Sequence, residues 1–314
     1  MKAVICTKYG GPEVLQIQEA QKPRCGKHEL LIKVMATAVN SADVKVRSLA
    51  IKGILKPLMR VVLGFKKPRK PVMGTVYSGV VEEVGQNVTQ FRLGDKVFGS
   101  TGFHFGTYAE YLSAKENSPV YLMPNNASFE EAAAQIFGGQ SAHYFLEKAR
   151  LSQRSKPKVL IIGSTGSVGI AAIQIALYHK AEITAVCSSS SKTLMEEVGV
   201  ENMIFYDRED FIKQPERYDI LFDAVGCTKR KSCRHLLKAG GEFVSVDGLS
   251  YATETTAQLE FIKTLFEKGE MKAIIDRTYS LENIQRAHAY VDTGRKKGNV
   301  VIKVNEAMKK HIND

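Results

Sequence analysis

Midway along this chain, Lys158-Val159-Leu160-Ile161-Ile162 runs into Gly163-Ser164-Thr165-Gly166-Ser167-Val168-Gly169 and leaves through IAAIQIALYHK. An apolar, β-branched run of this length reads as a strand. Val168, Ala171, Ala172, Ile175 and Ala176 recur at helical spacing, which gives the following helix one face to lay on a sheet. Strand, glycine turn and helix in that order specify a parallel sheet covered by helices. The turn itself needs residues without Cβ, so that backbone N–H groups can approach a phosphate at the positive end of the helix. Gly163, Gly166 and Gly169 are a spacing variant of GxGxxG, and a tight turn with no ligand would share the pattern. The strand before and the helix after favour phosphate binding, with Ser164, Thr165, Gly166, Ser167 and Val168 as the candidate contacts.

Further apolar strand candidates follow near Ile183–Cys187, Met203–Tyr206, Ile220–Phe222 and Phe243–Val246, alternating with helical stretches. A binder of NAD usually carries Asp or Glu about 20 residues after the glycine turn, to hold the ribose hydroxyls. This chain reads Cys187-Ser188-Ser189-Ser190-Ser191-Lys192 there. Small hydroxyls beside a Lys suit a ribose phosphate and point to NADP, with Ser188 and Lys192 as contacts. The serines also read as caps for the helix SKTLMEEV, and the two roles are compatible.

The rest of the chain has a different texture. From Lys2 to about Leu122, short β-branched runs such as LLIKVMATAV, GVVEEV and DKVFGS are separated by Gly, Pro, Asn and Asp, the pattern of an irregular β domain. The last forty residues resemble that first part, with a strand at Arg277–Tyr279, a helix over Leu281–Val291 and a final NVVIKV. The expected organisation is therefore a β domain of residues 1–122 and 275–314 around an α/β domain of residues 123–274. A length of 314 residues exceeds what one hydrophobic core usually supports.

Lys and Arg outnumber Asp and Glu by 44 to 33, an excess that can serve nucleic acid, anionic surfaces or acidic ligands. Part of it is concentrated in Lys56, Arg60, Lys66, Lys67, Arg69 and Lys70, which read first as a solvated basic loop. No stretch approaches the ~20 apolar residues of a membrane span. Cys6, Cys25, Cys187, Cys227 and Cys233 are odd in number and lack CxxC spacing, as reduced thiols would be. The expectation is a cytoplasmic protein with no membrane partner, and with nucleic acid a poor match for want of any RNA-binding aromatic motif.

The chain resembles the medium-chain dehydrogenase/reductase superfamily, in particular its zinc-independent quinone oxidoreductase and enoyl reductase branch. The resemblance is carried by MKAVICTKYGGPEVLQI, by Asn40 to Asp43 followed by Arg47, and by GVVEEVG, FRLGDKVFG and GTYAEY. EEAAA before Gly138, the GSTGSVG turn, YDILFDAVG and the terminal GRKKGNVVIKV complete it. It implies a Rossmann dinucleotide-binding domain inserted into a GroES-like, mostly β catalytic domain. It also implies contacts to the adenosine phosphate from Lys192 and Tyr206, and puts Asn40, Ser141, Val225 and Asn299 toward the cofactor. Zinc members place Cys where this chain has Asn40, and a His-Glu pair where Thr75-Val76 follow Gly74. With no HxxH or HExxH pattern either, no metal is expected.

Without a Lewis acid to polarise a carbonyl, hydride addition to a quinone or a conjugated enone is the expected chemistry, since it needs positioning and a modest proton source. Asn40, Tyr77 and Tyr108 are the candidate catalytic residues, with His104 as a further polar neighbour. Asp43 and Arg47 read as an ion pair holding the loop. The rival within the enzymes is a 2-alkenal or enoyl-thioester reductase, and the rival outside them is an NADPH-binding regulatory or RNA-associated protein with little turnover. Asp247-Gly248-Leu249-Ser250-Tyr251 leads almost directly to the helix candidate at Ala257, where family members usually add a strand. A monomer is therefore as admissible as a homodimer.

Overall fold

The computed structural model describes residues 1–50, 60–247 and 252–305. Lys56 and the segment Gly248 to Tyr251 lie outside them. The chain divides into two compact units, Met1–Ile136 with Ile275–Asp314, and Phe137–Ile274.

In the first unit, β1 (Lys2–Cys6) and β2 (Leu15–Glu19) form an antiparallel pair. β3 (Glu29–Val39) leads into helix α1 (Ser41–Ser48), and β4 (Val76–Val84), β5 (Lys96–Ser100), β6 (Tyr111–Lys115) and β7 (Val120–Leu122) follow. Helix α2 (Phe129–Lys148) crosses from this unit into the second. An expected boundary at 122/123 and the structural one at Ile136 thus differ, because the composition changes where the helix begins and the packing changes part-way along it.

The second unit contains β8 (Lys158–Ile162), α3 (Ser167–Tyr178), β9 (Glu182–Cys187), α4 (Lys192–Glu197) and β10 (Asn202–Phe205). β11 (Tyr218–Asp223), α5 (Arg230–Cys233), β12 (Leu237–Ser245) and α6 (Thr256–Glu267) complete it. Its strands are all parallel, in the order β10-β9-β8-β11-β12. The chain works outward from β8 on one side, then returns to β11 on the other, so the order reverses between β8 and β11. In open α/β sheets that reversal is where ligands bind, beyond the carboxyl ends of the strands.

The chain then returns to the first unit as β13 (Ile275–Ser280), α7 (Ile284–Asp292) and β14 (Asn299–Lys303). β14 pairs antiparallel with β3, giving the sheet order β13-β14-β3-β4-β5-β7, with β6 also on β3. β3 is central and buried on both faces for most of its length. One core lies around Val4, Leu15, Val46, Tyr108 and Ile302, and a second around Leu30, Ile32, Tyr77 and Val97. β3 ends at Val39, so the next residues, Asn40 and α1, occupy the corner where the central strand stops.

Candidate active site

The turn after β8 is built by close backbone approach. Gly163 has φ +74° and a Cβ there would strike Val225 Cγ2. At Gly169 a Cβ would meet the Gly163 carbonyl oxygen and Ser164 Cα, so the helix can start this near the turn only with glycine at that position. Gly138 of α2 has the same role from the other side, since its Cβ would run into the Ser167 carbonyl oxygen. α3 opens at Gly166 with no side-chain cap. An N-terminus left without a side-chain cap beside a glycine turn presents backbone donors and a positive dipole end, which is the donor set a pyrophosphate requires. Thr165 and Gly166 are partly exposed, whereas the Ser164 hydroxyl is buried and donates to the Val186 carbonyl at 3.0 Å. Ser164 therefore ties the turn to β9 twice, since its backbone N–H also donates to the Val186 carbonyl, at 3.4 Å.

The neighbouring strand ends complete the edge. Asp223, wholly buried at the end of β11, accepts from Val225 N at 3.1 Å, Gly226 N at 2.8 Å and Thr228 N at 2.8 Å. That carboxylate folds the loop back and sets Val225 beside Gly163, where it stays 57% exposed at the sheet's reversal point. Sequence reading missed this function of Asp223, although Asp followed closely by Gly is a known turn signature.

At the end of β9, Ser188 Oγ lies 2.9 Å from Ser190 Oγ and 3.2 Å from Ser191 Oγ. Lys192 is exposed and 3.7 Å from Glu196, and Tyr206 is exposed with its N–H on the Cys187 carbonyl at 3.0 Å. Ser188, Lys192 and Tyr206 thus share one edge of the sheet. A carboxylate that the sequence reading passed over is also there. Asp207 accepts from Ser189 Oγ at 2.6 Å and Ser189 N at 2.8 Å, and these bonds hold its pKa below the usual aspartate value. Both its oxygens are engaged with Ser189, so it closes the serine loop. Ser141 sits on α2, one turn past Gly138 and partly exposed.

In the first unit, Asn40 is the N-cap of α1. Its Oδ1 accepts from Ala42 N at 2.9 Å and Asp43 N at 3.0 Å, while Asp43 Oδ2 accepts from Asn40 N at 3.0 Å, a reciprocal capping box. Its Nδ2 donates to Thr75 Oγ1 at 2.9 Å. Asn40 is thus committed to the corner between β3, α1 and the strand entry at Thr75. Tyr108 donates its hydroxyl to Asp43 Oδ2 at 3.0 Å and is fully buried, and burial with the adjacent carboxylate raises its pKa well above the usual tyrosine value. Tyr77 belongs to the other core, where its hydroxyl packs over Gly99, and burial raises its pKa too. Asn40 and Tyr108 therefore meet at Asp43, whereas Tyr77 stands apart.

Arg47, expected as the partner of Asp43, makes its ion pair with Asp292 of α7, at 2.7 and 3.0 Å, and donates Nε to the Gly10 carbonyl at 3.2 Å. It ties α1 to the returning carboxyl-terminal segment. His288 of the same helix is wholly buried edge-on to Tyr108, with ring centroids 5.6 Å apart, and burial followed by the charge of Arg47 lowers its pKa to about 3. Asn299 is buried at the start of β14, opposite Ile275. Just before it, Lys296 donates to the Gly298 carbonyl at 2.7 Å, and burial, opposed by Asp276, lowers its pKa to about 8. His104 is exposed, with Nδ1 2.9 Å from Lys70 Nζ.

Among the described residues no group of three or more His, Cys, Asp or Glu could hold a metal ion. Thr75 Oγ1 accepts from the Asn40 amide. The donors zinc requires are thus not assembled at this corner.

Residues 26–125 match the alcohol dehydrogenase GroES-like domain, and residues 247–302 match a domain described as zinc-binding dehydrogenase. The chain belongs to the medium-chain dehydrogenase/reductase superfamily, with a Rossmann-type sheet set into a GroES-like β domain. It is 32% identical to the 2-methylene-furan-3-one reductase of Solanum lycopersicum, over 96% of this chain and 79% of that one. To the chloroplastic NADPH-dependent alkenal/one oxidoreductase of Arabidopsis thaliana it is 29% identical, with the same two coverages. The solved quinone oxidoreductase from Coxiella burnetii superposes with a TM-score of 0.82 at 25% identity, covering 97% of this chain and 99% of that one. The segment matched by the zinc-named domain contains no Cys and a single His, the buried His288.

Proposed function

We propose that this protein is an NADPH-dependent, metal-independent reductase that transfers hydride to a quinone or an α,β-unsaturated carbonyl. The observation that carries the reading is the Gly163–Gly169 turn, closed to a Cβ at Gly163 and Gly169 and opening a helix with no side-chain cap at the reversal point of a parallel sheet. The backbone of Thr165 to Val168, anchored by Ser164, holds the pyrophosphate, Val225 and Ser141 lie along the cofactor, and Ser188, Lys192 and Tyr206 take the adenosine phosphate. The names of the relatives support the acceptor: one reduces a methylene-furanone, one is an NADPH-dependent alkenal/one oxidoreductase, and others are quinone oxidoreductases.

When bound, the nicotinamide supplies the hydride. The chain's own part is to bind, orient and exclude water. Asn40 acts as a positioning residue, because its carbonyl and amide are both engaged in fixing the β3–α1 corner. Tyr77 and Tyr108 hold their protons too tightly, and too deep in their cores, for either to be assigned as donor. The proton that completes reduction comes from water. Asn299 and the neighbouring Lys296 are assigned to shaping the β14 entry.

The test follows NADPH absorbance on addition of 1,4-benzoquinone, a short enone, or an enoyl thioester. Oxidation with the first two and little with the third supports the proposal. Turnover confined to the thioester would move the reading to the enoyl-thioester reductases. Tight NADPH binding with no turnover on any acceptor would favour a binding protein.

A further inference from the structure

Residues 44–81 contain nine Lys or Arg and no Asp or Glu. Five of these cations, Arg60, Lys66, Lys67, Arg69 and Lys70, are exposed, and among the described residues none of the five pairs with a carboxylate. Set among them are Val61 at 51% exposure, Val62 at 51% and Phe65 at 62%. Phe103, 52% exposed, stands next to His104, whose ring nitrogen meets Lys70 Nζ at 2.9 Å. Four large apolar side chains and five cations with no carboxylate partner among the described residues thus occupy one stretch and the loop tied to it.

The fold holds this stretch firmly. Leu63 is buried in the core, the Tyr9 hydroxyl donates to the Gly64 carbonyl at 2.9 Å, and Arg69 N donates to the Leu63 carbonyl at 2.7 Å. Cys6 N closes the far end on the Pro71 carbonyl at 2.7 Å. With Leu63 turned inward and its neighbours pinned, Val61, Val62 and Phe65 are presented outward by a formed backbone. A solvated basic loop has no use for them, and large apolar side chains exposed together among charges mark an interaction surface.

We infer that this surface docks on an anionic lipid bilayer, with Val61, Val62, Phe65 and Phe103 entering the headgroup–acyl boundary and the five cations lying against lipid phosphates. Apolar side chains for the interface and Lys and Arg for the headgroups are the two requirements of peripheral membrane attachment. A single-stranded nucleic acid could stack bases on Phe65 and Phe103 but would leave Val61 and Val62, which offer no π face, without use. Among the described residues no helix is long and apolar enough to cross a membrane, which concerns spanning and leaves peripheral attachment untouched. The inference does not rest on the reductase reading. If both hold, the enzyme meets lipid-soluble acceptors where they partition.

The experiment is flotation of the full chain with vesicles of phosphatidylcholine alone and of phosphatidylcholine containing phosphatidylserine, at low and high salt. Each Lys or Arg near an anionic surface contributes about fivefold in affinity. Binding is therefore expected only to the phosphatidylserine vesicles, weakened by salt, and reduced at least about a hundredfold in Lys66→Glu/Lys67→Glu/Lys70→Glu. Val62→Ser/Phe65→Ser, which leaves the charge unchanged, is expected to lower it severalfold. A fluorophore on Phe65→Cys is expected to shift to the blue on the same vesicles. No binding to the anionic vesicles, equal binding to both kinds, or a fluorophore that stays in water would overturn the inference. So would full retention by the serine variant together with complete competition by polyuridylate, which would make the patch a polyanion site.

Discussion

The two halves of the proposed machinery use polar groups in opposite ways. At the glycine turn of the second unit, side chains are mostly withdrawn: Ser164 bonds to β9, Asp223 to its own loop, and Asp207 to Ser189. What remains is the amino end of α3 without a side-chain cap, placed by glycines that tolerate close approach. At the corner of the first unit, side chains are present in number but bonded to one another, with Asn40 capping α1 and holding Thr75, Tyr108 on Asp43, and Arg47 on Asp292. The difference teaches that, on the proposed reading, the glycine turn offers donors to a ligand, whereas the corner gives rigidity to whatever it supports.

If that contrast is right, the largest effect comes from filling the glycine turn. Gly169→Val puts atoms where the Gly163 carbonyl already lies, and NADPH affinity is expected to fall by roughly a hundredfold or more, with overpacking costing on the order of 1–3 kcal/mol of stability. Fluorescence titration with NADPH, alongside thermal unfolding, separates the two losses. An unchanged affinity would show that the turn binds no phosphate.

Next in size is the acid limb of the buried corner. Folded His288 stays neutral down to about pH 3, while an unfolded histidine takes its proton near 6.5. Between those values the unfolded chain binds more protons, so this group withdraws about 1.4 kcal/mol of stability per pH unit as the pH falls. Urea unfolding of His288→Phe beside the parent chain should show a shallower loss over that window. Parallel slopes would mean the ring is solvated.

Asn40→Ala removes a helix cap and leaves Thr75 without its donor, with an expected cost of about 1–2 kcal/mol by urea denaturation. Turnover should fall with it while NADPH affinity holds, because the corner positions without contributing ligand donors. The smallest effect is at Lys192, which is exposed and beside Glu196. Lys192→Ala should weaken NADPH about tenfold, the usual worth of one charge-assisted contact, and leave the melting temperature unchanged.

The sequence made the first region legible and the second only in part, for a physical reason. A glycine turn is a local requirement, written in consecutive residues between Ile162 and Ile170, and all five strands of the second sheet could be read from apolar runs. The corner depends on partners far apart in the chain. Arg47 meets Asp292 across 245 positions, and nothing near Arg47 announces it. Asp207 reaches Ser189 only because β10 pairs with β9 so that Phe205 lies opposite Cys187, a register that composition does not encode. Tyr77 illustrates a third limit: β4 is buried on both sides at its start, so alternation gives no hint of which side chains face a site and which face a core. The cap of α6 was within reach, since Thr255 and Gln258 form a capping box with the spacing expected of one.

The central claim is that the second unit selects NADPH through its glycine turn and the edge formed by Ser188, Lys192 and Tyr206. Parallel fluorescence titrations of the parent chain and Lys192→Ala with NADPH and with NADH test it most directly. The expected result is a clear preference for NADPH in the parent chain that Lys192→Ala largely abolishes, with NADH affinity unmoved. Equal affinity for both cofactors in the parent chain, or no binding of either, would contradict the account.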